Sequence, residues 1–194
     1  ALQTAAESQS HIGMARRLAT DAEARARRKE TLVAALNIRG VSSAMFAAER
    51  WLDIAKKDAE ALTTERDALE REAMLRTMGL EPGAAIPAGL RTEVKALEEA
   101  QKRRATRSLR DGIDRILVDL LALYRDVLTV QLGAQVPLVN ANLNDQICEL
   151  AEESTAAVTL NRLDAIAQTR VRIDSNVRDL MALEALAVVL RRKG

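Results

Sequence analysis

Lys102, Arg103, Arg104, Arg107 and Arg110 place five cations within nine residues, with no carboxylate among them. On a helix, positions 103, 107 and 110 share one face through i+4 and i+3 spacing, and Arg104 falls on an adjoining face. A row of phosphates could be tracked by such a ridge, with Lys102 at its start. No aromatic residue is interleaved to stack on bases, and Glu98 and Glu99 precede the run. The chemistry is therefore charge neutralisation along a backbone, not base reading. A solvated face, or one that meets an acidic partner, is the competing reading. The remaining reactive residue types form no constellation. His11 and Cys148 are single and far apart, which excludes metal-ligand spacing, and nothing near either residue builds a nucleophilic pair. Cys148 reads as a small buried residue on a helix. No Gly-x-x-x-x-Gly-Lys-Ser/Thr loop is present, so a P-loop nucleotide site is excluded. Carboxylate pairs such as Glu98-Glu99 and Glu152-Glu153 alternate with basic residues and read as solvated charge. The expectation is no catalytic, metal or cofactor site and no small-molecule substrate.

The elements that must position these residues follow from composition. Of 194 residues, 48% are apolar but only 2% aromatic, so the core is built from leucine, isoleucine, valine and alanine. Small aliphatic residues suit closely approaching helices, and the expected class is all-α. A net charge of +1 gives no global attraction to nucleic acid. The longest apolar run, around Ile116 to Leu123, is broken by Asp119 and is too short to span a membrane. One cysteine allows no internal disulfide, and the polar start carries no apolar signal segment, which together point to the cytoplasm. The chain opens at Ala1 inside a helical pattern, as a fragment of a longer protein would.

Residues Leu2 to Ser8 read as the last turns of one helix, and Ser10 to Ala19 as a second. Gly13 within it costs about 1 kcal/mol relative to alanine, so helix stability did not select it. Thr20 with Glu23 signals a capping box, starting a helix through Asp21 to Glu30 into Leu32 to Leu36. Gly40 closes that helix and Ser42 or Ser43 caps an amphipathic one carrying Met45, Phe46, Ala48, Leu52, Ala55, Ala59 and Leu62, which Gly79 ends after Met78. Glu81 to Gly89, with two of the three prolines, is the clearest loop. From Arg91 to Leu132 the pattern is helical for about 60 Å if unbroken. Its polar first half is expected to project, its second half to be the central core helix, and Gly112 to permit a bend. A connection over Gly133 to Asn142 contains Pro137. Asn142 is expected to cap a short helix to Glu152, and Ser154 or Thr155 the next, ending near Asn176. The last helix, Asp179 to Arg192, is nearly all apolar and is expected to be buried on most sides, with Arg191, Arg192 and Lys193 favourable at its carboxyl end.

Three segments carry a family resemblance. Ser10-His11-Ile12-Gly13-Met14-Ala15-Arg16-Arg17-Leu18-Ala19 resembles the second nucleotide-sensing helix in the lid of clamp-loader ATPases of the AAA+ class, commonly Gly-Ser-apolar-Arg-acidic-Ala. Gly13 stands at their sensor arginine, and the delta-prime subunits of bacterial DNA polymerase III clamp loaders look like the branch that keeps the helix without that arginine. The run Arg103 to Arg107, Arg110-Asp111 and Leu120 to Leu128 is similar to their middle carboxyl-terminal helix. Leu163 to Ile166, leading to Asn176 through Leu186, is similar to their terminal pattern, although Arg178 occupies a place where proline is common. The resemblance covers nearly the whole chain and is weakest from about Asp53 to Arg91.

The resemblance implies a lid remnant and connecting helix over 1–28, and a collar-type oligomerisation domain over 29–194. It implies lost nucleotide sensing at Gly13, no cofactor in this chain, and a non-catalytic assembly role. The implied partners are tau or gamma and delta subunits through the collar, with a sliding clamp and primer-template DNA reached indirectly; no membrane is involved. A ring subunit meets two neighbours through unlike surfaces, and Tyr124, Leu128, Leu183 and Leu186 are the candidates for them. The alternative is a helical nucleic-acid-binding module using Lys102, Arg103, Arg107 and Arg110.

Overall fold

A computed structural model describes residues 12–80, 85–175 and 177–192, and among them every regular element is helical, in accord with the all-α expectation. The helices are α1 (Ile12–Thr20), α2 (Ala22–Leu36), α3 (Val41–Thr77), α4 (Arg91–Gln131), α5 (Asn144–Glu152), α6 (Ala156–Asp174) and α7 (Asp179–Leu190). Short 3-10 turns over Ala88–Leu90 and Ala141–Leu143 lead into α4 and α5. The expected helix over Leu2 to Ser8, His11, the loop residues Glu81 to Ala84, Asn176 and Lys193 lie outside the described residues.

Helix ends show which local chemistry prevails. The cap before α2 is Asp21, not Thr20: its carboxylate accepts from the Glu23 and Ala24 amides at 2.8 and 3.0 Å, while Thr20 turns its hydroxyl back to the Arg16 carbonyl at 3.0 Å. These amide bonds, the Ala24 one foremost, hold the Asp21 carboxyl below the usual aspartate range. Before α3, the Ser43 hydroxyl sits inside the first turn and accepts from the Gly40 amide at 2.9 Å, so Gly40 begins α3 instead of closing α2. Gly79 and Gly133 have φ of 70° and 63°, the left-handed conformation that only glycine adopts cheaply, and end α3 and α4. Beyond Gly79 the Leu80 amide reaches the Leu75 carbonyl at 3.0 Å. Asn142 caps nothing; α5 starts without a side-chain cap, whereas Thr155 caps α6 through the Val158 amide at 3.4 Å.

Contacts divide the chain into two compact units: the described residues of Ala1–Ile54 with Ile113–Gly194, and Ala55–Gly112. Arg28 bonds residues far along the first unit (below). That unit has an aliphatic core around Trp51 and Tyr124, with Leu32, Ile38, Ile113, Leu117, Leu120, Leu123, Ile147, Leu150, Ile166 and Leu183 fully buried. The Trp51 indole N–H donates to the Thr31 carbonyl at 3.1 Å, which meets its one polar requirement inside the core. The α6 and α7 helices pack on each other.

The second unit is an antiparallel pair made by the later part of α3 and the earlier part of α4, as the pairings of 55 with 112, 67 with 104 and 71 with 98 require. Its interior is small and polar: Ala55, Asp58, Ala59, Thr63 and Val94 are its buried side chains. Gly112 does not mark a break, because α4 is continuous through it. A Cβ there would lie 3.1 Å from the Ala55 carbonyl oxygen and 3.3 Å from its Cα, so glycine is what lets the helices approach. Replacing Gly112 with valine should destabilise the chain by about 1 to 3 kcal/mol through overpacking. Gly112→Ala should cost much less, because about 1 kcal/mol of helix propensity offsets the tight contact. Urea unfolding of both variants measures this, and equal midpoints for valine and wild type would refute the close-approach argument.

Candidate functional site

The cation run lies on α4 in the second unit. Gln101 donates to the Asp67 carbonyl at 2.9 Å, and the Arg104 guanidinium is clasped by Asp67 and by Glu70, the latter at 2.9 Å. The bond from Arg104 holds the Glu70 carboxyl below the usual glutamate range, with Arg66 adding to it. These contacts set the rotation of α4 and take Arg104 out of the ridge. Lys102, Arg103 and Arg107 are exposed, and Arg110 is half-buried. Arg103 approaches Glu99 at 4.0 Å, and Glu98 is paired across the hairpin with Arg71 at 2.6 Å.

The first unit holds the residues considered for subunit contact, and burial separates them. Tyr124, Leu183 and Leu186 are at most 1% exposed and serve the unit's own core; Leu128 is half-buried. Burial pushes the Tyr124 phenol up to about 12, against the pull of the Arg162 and Arg192 charges. Arg162, itself buried, lies 5.7 Å from the Tyr124 ring centroid and donates to the Arg191 carbonyl at 2.9 Å. A cation at the carboxyl end of α7 is favourable to that helix's dipole. The apolar residues left outward on α7 are Met181, Ala185, Val188 and Val189. The helix is thus apolar on its exposed side as well, contrary to burial on most sides.

Two buried polar junctions went unseen in the sequence. Asp126, fully buried, accepts from the Val139 amide at 3.0 Å, the Asn140 amide at 2.7 Å and the Asn140 side chain at 2.9 Å. The Asn140 side-chain oxygen accepts from Arg28 at 2.6 Å, and Arg28 also reaches Asp119 at 2.9 Å. One signal was legible: Asp126 stands beside core positions 123, 124 and 127, where an isolated carboxylate must find donors. At the chain's other end, the Arg192 amide donates to the Ile38 carbonyl at 2.8 Å and its guanidinium to the Leu36 carbonyl at 3.2 Å. The same guanidinium binds Glu153 and Glu149, the latter at 2.8 Å, and Arg39 shares both carboxylates.

Gly13 lies in α1, consistent with a glycine inside that helix, and Cys148, expected to be buried, is instead half-exposed with its sulfur 3.9 Å from the Asn144 side-chain oxygen. Among the described residues no group of three or more histidine, cysteine or acidic side chains is placed to hold a metal, and no helix is long and apolar enough to cross a membrane.

The described residues define an all-helical fold. Comparison adds one likeness: the chain is 33% identical over 72 residues to DNA polymerase III subunit delta' of Bacillus subtilis, covering 37% of this chain and 22% of that protein. No family model matches the chain, and no solved structure matches it significantly.

Asp126→Asn keeps the shape but replaces one acceptor oxygen with an amide donor, so a buried N–H loses its partner. The expected cost is about 1 to 3 kcal/mol in urea unfolding, and an unchanged midpoint would refute the junction's role. Arg192, and then Arg39, hold the Glu153 carboxyl below its ordinary value of 4.5. A depressed folded-state pKa contributes stability that is complete above the ordinary value and is lost as pH falls through the depressed one. Wild type should therefore exceed Glu153→Gln by a constant margin at neutral pH, and the margin should shrink once pH drops below that ordinary value. A margin that grows on acidification would contradict this pairing of Glu153 with Arg192 and Arg39.

Proposed function

We propose that this chain is a non-catalytic assembly part of a DNA polymerase III clamp loader, of delta-prime type. The observation that carries the reading is the 72-residue likeness to the Bacillus subtilis subunit delta'. In this reading the chain works in the cytoplasm, packs through a collar with tau or gamma and delta subunits, and supports loading of a sliding clamp on primed DNA. The segment 1–28 is then a lid remnant and 29–194 belongs to the collar, and Gly13 at the sensor position fits a subunit that reads no nucleotide itself.

The exposed apolar face of α7 supports an assembly role. Met181, Ala185, Val188 and Val189 recur at i, i+4, i+7 and i+8, which is one helix face, and three of them are 41 to 57% exposed large side chains. An apolar stripe left in water is what a neighbouring subunit covers. Phe46 and Val41, 70 and 55% exposed at the start of α3, offer a second, unlike surface of the kind a ring subunit needs. These residues replace the buried Tyr124, Leu183 and Leu186 as the interface candidates.

Size-exclusion chromatography of the chain mixed with tau or gamma and delta collar domains from the same genome tests the reading. A co-eluting complex is expected, and Met181→Glu with Val188→Glu should weaken it by about tenfold or more while leaving the helical signal intact. No complex from folded components would sink the proposal.

A further inference from the structure

The ridge on α4 lies in the second unit, and its chemistry does not rest on the clamp-loader reading. Gln101 and Arg104 face α3, which fixes the rotation of α4. At about 100° per residue, Lys102, Arg103, Thr106 and Arg107 then fall on the opposite arc, and all four are exposed. Among the described residues neither Lys102 nor Arg107 has an ion-pair partner within 4.0 Å, and Arg103 meets Glu99 only at 4.0 Å. The acids facing this helix across the hairpin are already engaged, Asp67 and Glu70 by Arg104, and Glu98 of α4 itself by Arg71. The outward cations therefore keep their field, apart from Glu99 at the border.

We propose that this arc of Lys102, Arg103 and Arg107 binds the phosphate backbone of a nucleic-acid duplex without regard to sequence. The chemistry of the arc selects that partner. An acidic protein partner would need an apolar anchor at the centre of its interface, and Ala105 and Thr106 supply none. Single strands are held by stacking on aromatic rings, and residues 55–112 of the second unit contain none. A duplex backbone asks only for cations on a rigid support. From 102 to 107 the helix rises about 7.5 Å, the axial rise of about two base pairs, which carries about four phosphates over both strands, enough for three cations.

The test is fluorescence anisotropy of the full chain on two labelled DNA duplexes of unrelated sequence. Wild type should bind both alike. The triple variant Lys102→Gln, Arg103→Gln, Arg107→Gln should bind more weakly at low salt. Between about 50 and about 200 mM salt, wild type should lose about 40-fold more affinity than the variant, the effect of three released counterions. Glu99→Gln should strengthen binding, and a control carrying Arg66→Gln and Arg76→Gln on α3 should keep the wild-type salt dependence. Absence of binding at low salt, an unchanged salt dependence in the triple variant, or an equal loss in the control overturns the proposal. So does poly-glutamate that competes as well as unlabelled duplex, because the arc would then answer to carboxylates.

Discussion

The buried Asp126 carboxylate is the constraint around which the first unit is arranged. A charge with no solvent must be surrounded by donors, and here they come from the Val139 and Asn140 amides and the Asn140 side chain. Holding those donors in place fixes where the connection after Gly133 returns to α4. Asn140, oriented by Asp126, then presents its oxygen to Arg28, so the position of α2 is set by the same group. Helix α2 in turn places the Thr31 carbonyl that receives Trp51, which ties the polar junction to the largest buried side chain of the core. Aliphatic packing supplies bulk stabilisation but tolerates sliding; the directed bonds at Asp126 do not.

The two units solve the packing problem by different means. In the first, large aliphatic side chains interdigitate around two aromatics, so specificity comes from shape and from a few satisfied polar groups. In the second, Gly112, Ala55 and Ala59 bring two helices close with little apolar area, and ion pairs such as Arg71 with Glu98 fix the register. Exposed ion pairs contribute little stability each, so the close approach at Gly112 matters more to that pairing than their number suggests.

Helical class and most helix spans were legible because period 3.6 and the glycine stops are local signals. Gly79 and Gly133 needed only the left-handed conformation that a helix end imposes. The close approach at Gly112 was not legible, because it depends on Ala55, a partner that no local pattern names. The choice between Thr20 and Asp21 turned on one position, within the scatter of cap assignment from pattern alone. Burial on α6 ran against hydrophobicity: Thr159, Arg162 and Thr169 face inward while Leu160 and Val171 are 50 and 65% exposed. An apolar stripe therefore marked α7 as important without telling core from surface, and Tyr124, Leu183 and Leu186 fell on the core side. At the basic run, helix spacing identified the shared face, but only the acids of α3 show that Arg104 belongs to the interior of the hairpin.

Arg192 joins the last described turn of the chain to Leu36 and Ile38, and this has a consequence for synthesis. The second unit is contiguous in sequence and has all its partners once Gly112 has left the ribosome. The first is interrupted, and its opening segment must wait for residues some 150 positions later before those carbonyls find their donors. Emergence from the amino end therefore favours the contiguous hairpin as the first structure to close, with the interrupted unit completed only later.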